Sequence, residues 1–318
     1  MYNHHAHPHV GDPANQTTKR LALSLGVTGL FVIFEVIAGL WGNSLALLTD
    51  AAHNLTDVIA LGLSWYALRL TLRPAHAGKT FGYHRAGILA ALVNSTTLVL
   101  IALGIFYEAG HRFVSPPEVN TSILIGVGGI AFFINLGTAL LIKRGSENDL
   151  NLRSSFLHLM GDVLSTLGAV AAGVIIFFTN WNWLDPLVSV LIGLLILWNA
   201  WGILRQTVNI LLESTPENVE METMVDDLMK VDGVLGIHDL HVWCISENMR
   251  MLTAHIQTQD TAISASANLQ NRINDVLLHK YGIRHATLQL ECKECKPALL
   301  FCNINETHDV HNPFPEAR

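Results

Sequence analysis

Two His/Asp pairs carry the chemistry this sequence offers. The first, His53-Asn-Leu-Thr-Asp57, sits in the apolar run LALLTDAAHNLTDVIALGL from Leu45 to Leu63, which also holds Asp50. The second is His158-Leu-Met-Gly-Asp162, again within an apolar run. On an α-helix, positions four apart lie about 40° apart around the axis and one turn along it, so each pair shares a face. Asp50 lies within about 20° of Asp57 on that face. Ionisable groups deep in a bilayer cost several kcal/mol, and they line a pathway or pair with one another. Two helices that each offer an imidazole and a carboxylate can close a cage of nitrogen and oxygen, and Zn²⁺ takes such a tetrahedral site. The competing reading is that the pairs act as polar glue between helices. Asn, Ser or Thr would do that without burying charge, so the doubled H-x-x-x-D spacing favours metal.

The elements that must position these groups are membrane spans. Only 14% of the 318 residues are charged, against about a quarter in soluble domains. The apolar excess lies in residues 19–212, which hold six runs near the ~20 residues a bilayer requires. They are Leu21–Leu40, Leu45–Leu68, Ile88–Phe106, Ile123–Ile142, Leu152–Phe178 and Pro186–Ile203. Lys19, Arg20, Arg69, Arg73, Lys79, Arg85, Lys143, Arg144, Arg153 and Arg205 flank the spans on one side, and Arg112 stands on the other. Cytoplasmic loops carry the excess of Lys and Arg, so both termini are expected in the cytoplasm, which agrees with an even number of spans. Glycines such as Gly26, Gly39, Gly168 and Gly173 let helices approach closely. Glu35, Asn94 and Asn135 are further polar groups within spans. Glu35 reads either as a proton-relay group or as a structural, hydrogen-bonding carboxylate near the outer end of its helix.

Residues 213–292 read as a soluble α+β domain of order α-β-β-α-β: a helix over Pro216–Val231, strands over Val234–Ser246 and Met249–Thr258 joined by a turn at Glu247-Asn248, a helix over Ile263–Tyr281 and a strand over Ile283–Glu291. Such an order gives a small sheet with helices on one face. His238, His241, His255, His285 and Glu291 fall on or near the strands, where several could reach one ion, although strand histidines are more often surface residues. Cys292-Lys-Glu-Cys295 follows. In a reducing compartment a C-x-x-C suggests metal or redox chemistry, and one such pair is half a zinc site. Cys244, mid-strand, reads as core. Residues 1–18, with His4, His5, His7 and His9, form a leader expected to be disordered, either collecting metal loosely or passive. Residues 293–318 look irregular. The net charge of −7 argues against a nucleic-acid surface.

The chain resembles the cation diffusion facilitator family, in its zinc-exporting, bacterial-type branch. The resemblance rests on Gly42-Asn-Ser-Leu-Ala-Leu-Leu-Thr-Asp-Ala-Ala-His-Asn-Leu-Thr-Asp57, Phe81-Gly-Tyr-His-Arg-Ala86, Leu157-His-Leu-Met-Gly-Asp162 and His238-Asp-Leu-His-Val-Trp243. It implies a homodimer of six-helix protomers, each with a metallochaperone-like cytoplasmic domain, in the bacterial inner membrane. It implies a transport site of His53, Asp57, His158 and Asp162, and zinc ligands His238, His255, His285 and Glu291 in the cytoplasmic domain. Cys292 and Cys295 resemble a tail pair that in animal members meets the partner's leader, although here no spacer separates the pair from Glu291. Arg85 and Glu213 resemble an ion pair linking the membrane helices to the cytoplasmic domain in some members. A long His-rich loop between spans four and five, typical of animal members, is replaced by the short Lys143–Leu150 stretch.

The resemblance implies a secondary-active Zn²⁺/H⁺ antiporter working by alternating access, with Cd²⁺ or Co²⁺ as alternative cargo, since all three accept N/O cages. Other classes compete. An intramembrane zinc protease would carry H-E-x-x-H, which is absent from the sequence. A membrane-bound metal sensor would need an output module. Gly126-Val-Gly-Gly129 lies inside a span and is no phosphate loop. The expectation is a transporter with no enzymatic activity.

Overall fold

A computed structural model of the chain describes residues 13–143, 150–246, 249–260 and 262–292. The leader up to residue 12, the turn at Glu247-Asn248, and the tail from Lys293 with Cys295 lie outside the described residues. Six long helices come first: α1 Pro13–Gly42, α2 Leu45–Thr71, α3 Ala86–Val114, α4 Thr121–Lys143, α5 Leu150–Thr179 and α6 Leu184–Leu211. After them come α7 Met221–Met229, β1 Gly236–Ser246, β2 Met249–Gln257, α8 Ile263–Tyr281 and β3 Ile283–Glu291. The expected order of elements is present. α1 starts at Pro13, so residues 13–18, expected in a disordered leader, are helical instead. Proline suits a first helical turn, where its missing N–H has no partner to lose.

Contacts divide the chain into two units, one holding residues up to Leu72 with Leu89–Arg205, the other Arg73–Ile88 with Gln206 onward. In the first unit, α3, the Thr121–Leu140 part of α4, the Phe156–Thr179 part of α5, and α6 are long and apolar enough to cross a membrane; among the described side chains of α1 the apolar stretch is Gly29–Gly42. α2 does not reach that composition. The residues that dilute it are Asp50, His53, Asn54 and Asp57, the groups with chemistry to offer. α1, α2, α4 and α5 share a core of Ala38, Ala46, Leu47, Leu124, Val127 and Ala169. α3 and α6 pack through Leu98, Ala102, Ile192, Ile196 and Ala200. Small residues set these approaches. A Cβ on Gly39 would meet Leu48 of α2 at 2.8 Å, and one on Gly173 would meet Leu124 of α4 at 3.0 Å. Large apolar side chains such as Leu30, Phe133, Phe178 and Trp198 point outward. This is the composition of helices solvated by hydrocarbon rather than water.

In the second unit, strand order is β1-β2-β3, with β1 and β2 antiparallel and β2 and β3 parallel. Its core joins Leu240, Val242, Leu252, Ala254 and Ile256 of the sheet to Met224 and Leu228 of α7 and Leu269, Ile273 and Leu277 of α8. α7 is shorter than the expected Pro216–Val231, because Glu220 has extended backbone and the helix begins only after it. β1 begins two residues later than expected. Gly282 ends α8 in the left-handed conformation, φ 66°, and donates back to Leu277 and Leu278, the terminator glycine favours. Asp227 of α7 ties the two helices, with Lys280 Nζ at 2.9 Å and the Tyr281 hydroxyl donating at 2.9 Å. Lys280 first, then the Tyr281 bond, holds this carboxyl at about 2. Burial, aided by Asp227, pushes the Tyr281 phenol up to about 12.

Two outcomes follow. Ile273→Ala, in the fully buried centre of α8, should destabilise the second unit by about 2–5 kcal/mol, read from denaturant unfolding of the full chain in detergent by Trp243 fluorescence. Asp227→Asn should destabilise at pH 7. Because the folded carboxyl titrates below its ordinary 3.8, its contribution is present above that value and lost as pH falls to about 2. The difference between Asp227→Asn and the parent should therefore shrink over that window.

Candidate metal centre

The four intramembrane groups converge. One ligand atom from each of His53, Asp57, His158 and Asp162 lies within 4.8 Å of the others. The pairing crosses between helices. His53 Nε2 of α2 lies 3.3 Å from Asp162 Oδ1 of α5, and His158 Nε2 of α5 lies 3.0 Å from Asp57 Oδ2 of α2. The pairs within each helix are longer, 3.7 Å for His53–Asp57 and 3.9 Å for His158–Asp162. The two rings stand edge to face, centroids 5.5 Å apart. Each helix carries a threonine bonded to a ligand's own carbonyl: Thr56 Oγ1 donates to His53 O at 2.6 Å, and Thr166 Oγ1 to Asp162 O at 2.8 Å. His53 and Asp162 side chains are only 10% and 8% exposed, whereas Asp57 and His158 are 31% and 43% exposed. Asp57 lies closer to the C-terminal end of α2 than His53, and His158 closer to the N-terminal end of α5 than Asp162. The cluster is thus buried on one side and open on the other.

Asp50 lies outside this group. It is buried, with Oδ2 accepting from Asn54 Nδ2 at 3.3 Å while Oδ1 has no partner. Glu35 of α1 is also fully buried and faces Asp50 and Asn54. Both of its carboxylate oxygens are buried beside those side chains. His53 Nδ1 is unpartnered as well.

The second unit brings together three of the expected groups. His238, His255 and Glu291 offer atoms within 4.8 Å of one another. His238 Nε2 is 3.0 Å from Glu291 Oε2, and His255 Nδ1 is 3.0 Å from Glu291 Oε1. Register explains this, since His238 faces His255 across β1–β2, and Glu291 ends β3 beside Gln257. A bulge in β1 between His238 and His241, with Asp239 at φ 50°, turns the Asp239 carboxylate to 3.6 Å from His255 Nε2 and 3.1 Å from His241 Nε2. Bulges commonly re-aim a side chain beside a site. His285 does not join the cluster. It pairs with Met251, four positions before the Gln289 that opposes His255, and stacks edge-on against Phe81 with centroids 6.2 Å apart. The physical reason is distance along the strand, since four residues of strand span roughly 13 Å. Cys292 is free and exposed; Cys244 is buried, and burial raises its thiol. Arg85 Nη2 and Glu213 Oε1 form an ion pair at 2.8 Å.

The family described as the cation efflux transmembrane domain matches residues 21–212, and the cation efflux protein cytoplasmic domain matches residues 216–293. The chain belongs to the cation efflux family. Among its relatives, the metal cation efflux system protein CzcD of Cupriavidus metallidurans is 36% identical over 92% of each chain. The cadmium, cobalt and zinc/H(+)-K(+) antiporter of Bacillus subtilis is 39% identical over 83% of this chain and 86% of its own. The zinc transporter ZitB of Escherichia coli is 35% identical over 97% and 98%. As a cation efflux protein, the chain is a membrane protein with a helical bundle followed by a small α/β domain, and its family members are transporters.

Sequence reasoning missed Asp185 and the part Arg112 plays beside it. Asp185 is fully buried at the start of α6 and bonds the N-terminus of α2. The available signal was an acidic residue before Pro186 at the start of an apolar run. For the second unit, calorimetric Zn²⁺ titration of the full chain should separate the two clusters. Glu291→Gln, which faces both histidines, should weaken the second-unit site by at least about tenfold and leave the intramembrane site unchanged. His285→Ala should change neither.

Proposed function

We propose that this protein exports Zn²⁺ from the cytoplasm in exchange for protons, with His53, Asp57, His158 and Asp162 as the transport site. The observation that carries the reading is the crossed His/Asp cluster, with four candidate ligand atoms within 4.8 Å on two long helices of the membrane unit. Imidazole nitrogens and carboxylate oxygens in tetrahedral number suit Zn²⁺, with Cd²⁺ and Co²⁺ as alternative cargo. Relatives whose names specify zinc, or cadmium, cobalt and zinc, support that choice. A four-ligand site leaves no position for an activated water, which suits carriage and not catalysis.

The ligands must be deprotonated to hold metal, so loading releases protons and protonation releases metal. The exposed half of the site, Asp57 and His158, lies toward the ends of α2 and α5 flanked by Arg69, Arg73 and Lys143. By the charge rule these ends are cytoplasmic, which puts both termini in the cytoplasm of a cell whose inner membrane holds six spans per protomer. Rocking of the helices would then expose the buried half, His53 and Asp162, to the other side. The protein acts as a homodimer joined through its cytoplasmic domains. Zn²⁺ at His238, His255 and Glu291 favours the transport-competent dimer.

The test is Zn²⁺ uptake into sealed proteoliposomes under an imposed pH gradient, with K⁺ equal on both sides. The parent should accumulate Zn²⁺ in proportion to the gradient, and Asp162→Ala should reduce uptake at least about a hundredfold, equivalent to some 2.7 kcal/mol. Undiminished uptake in Asp162→Ala would move the path elsewhere. Stoichiometric Zn²⁺ binding with no flux in the parent would favour a membrane-bound sensor.

A further inference from the structure

A second buried charge cluster lies in the membrane unit, at the N-terminal end of α2. Asp185, in the first turn of α6, is fully buried. Its Oδ1 accepts from the Ser44 hydroxyl at 2.5 Å and from Ala46 N–H at 3.2 Å, and its Oδ2 accepts from Leu45 N–H at 2.7 Å. Arg112, in the last turn of α3, brings Nη1 to 3.7 Å from Asp185 Oδ2. The same guanidinium donates to the Asn43 carbonyl at 2.7 Å and to Asn43 Oδ1 at 3.2 Å, and its Nε donates to Glu108 Oε1 at 2.9 Å. One carboxylate on α6 and one guanidinium on α3 therefore grip the Asn43–Ala46 corner where α1 turns into α2.

Capping α2 does not require this arrangement. Ser44 already caps the helix, its hydroxyl accepting from Leu47 N–H at 3.3 Å. A buried carboxylate adds a large desolvation cost, offset only where several donors and a cation face it. What it adds is a tie between helix groups. α3 and α6 pack through their own core, while α1, α2, α4 and α5 share another, with Val188 of α6 packed against both. The tie lies nine residues before His53, roughly 14 Å along α2 at 1.5 Å per residue. It sits beyond the buried half of the metal cluster, and the cluster is open in the opposite direction.

We propose that Asp185 and Arg112 form a latch that closes this end of the metal path: while the latch is made, the cluster is reached from the other end alone, and passage of metal past α2's N-terminus requires the latch to part. The latch rests on the transport reading. Asp185 acts on the ligands through α2 and is a positioning residue.

The test uses the full chain in proteoliposomes with Cys244, Cys292, Cys295 and Cys302 changed to Ser and a Thr49→Cys reporter. Thr49 is buried between the latch and His53. A membrane-impermeant maleimide is applied from the side of α2's N-terminus. Asp185→Asn should raise the labelling rate at least tenfold over the parent, and Ser44→Ala should raise it less, in the same direction. Zn²⁺ affinity of the intramembrane site, by calorimetry, should stay within threefold, while the Zn²⁺ concentration for half-maximal uptake should rise as the loading state is depopulated. A merely structural defect would also speed labelling, but with a lowered fraction of binding-competent protein, and that combination counts against the latch. Parent-like labelling in both Asp185→Asn and Ser44→Ala overturns the latch. If Asp185→Asn does not fold, Ser44→Ala and Arg112→Lys carry the comparison, and unchanged labelling in both is again fatal. Faster labelling in Asp185→Asn, with a parent that moves no Zn²⁺, would keep the latch and overturn the transport reading. Zn²⁺ flux with unchanged labelling would do the reverse.

Discussion

Everything in the membrane unit answers to the cost of charge in hydrocarbon. Two carboxylates and two imidazoles placed inside apolar helices cannot be left to themselves. They are tolerated because α2 and α5 cross where the imidazole of each meets the carboxylate of the other, at 3.3 and 3.0 Å. Glycines bring α1 close to α2 and α4 close to α5. The same constraint accounts for Asp185. It survives fully buried because three donors and Arg112 converge on it.

The periodic features were legible in the sequence and the angular ones were not. Six long helices, three strands and the order of the second unit followed from apolar runs and alternation. The ends of α8 and β3 were given by Gly282 and the strand pattern. The crossed ligand set was visible because an i, i+4 spacing fixes a face, and two such faces inside spans have little else to meet. His285 shows the limit. Residue type and strand location placed it with the other histidines, but register decides reach. β3 runs parallel to β2 and sets His285 beside Met251, so Gln289 and not His285 stands next to His255.

Local conformation hid the rest. The Asp239 bulge needs a backbone at φ 50° that no spacing rule announces, yet it brings a carboxylate to His241 and His255 together. Asp185 draws no reading from sequence, since an acidic residue in the first turn of a helix is common. Its partners lie on α2 and α3, more than seventy residues away along the chain, and only the packed bundle reveals them. Glu35 has two readings from sequence, and the packed bundle adds its neighbours, Asp50 and Asn54.

The composition of α2 has a consequence for how the chain is made. Its ionisable residues leave it short of the apolarity that would hold a helix in a bilayer alone. α2 must therefore enter the membrane in company. α1 is the nearest in sequence, joined to it by the two-residue connection Asn43-Ser44 and packed against it at Gly39 and Leu48. Its electrostatic partner α5 is synthesised far later. Until α5 arrives, His53 and Asp57 wait without the carboxylate and imidazole that finally face them. The helix that carries His53 and Asp57 thus depends for its insertion on the tight helical hairpin with α1.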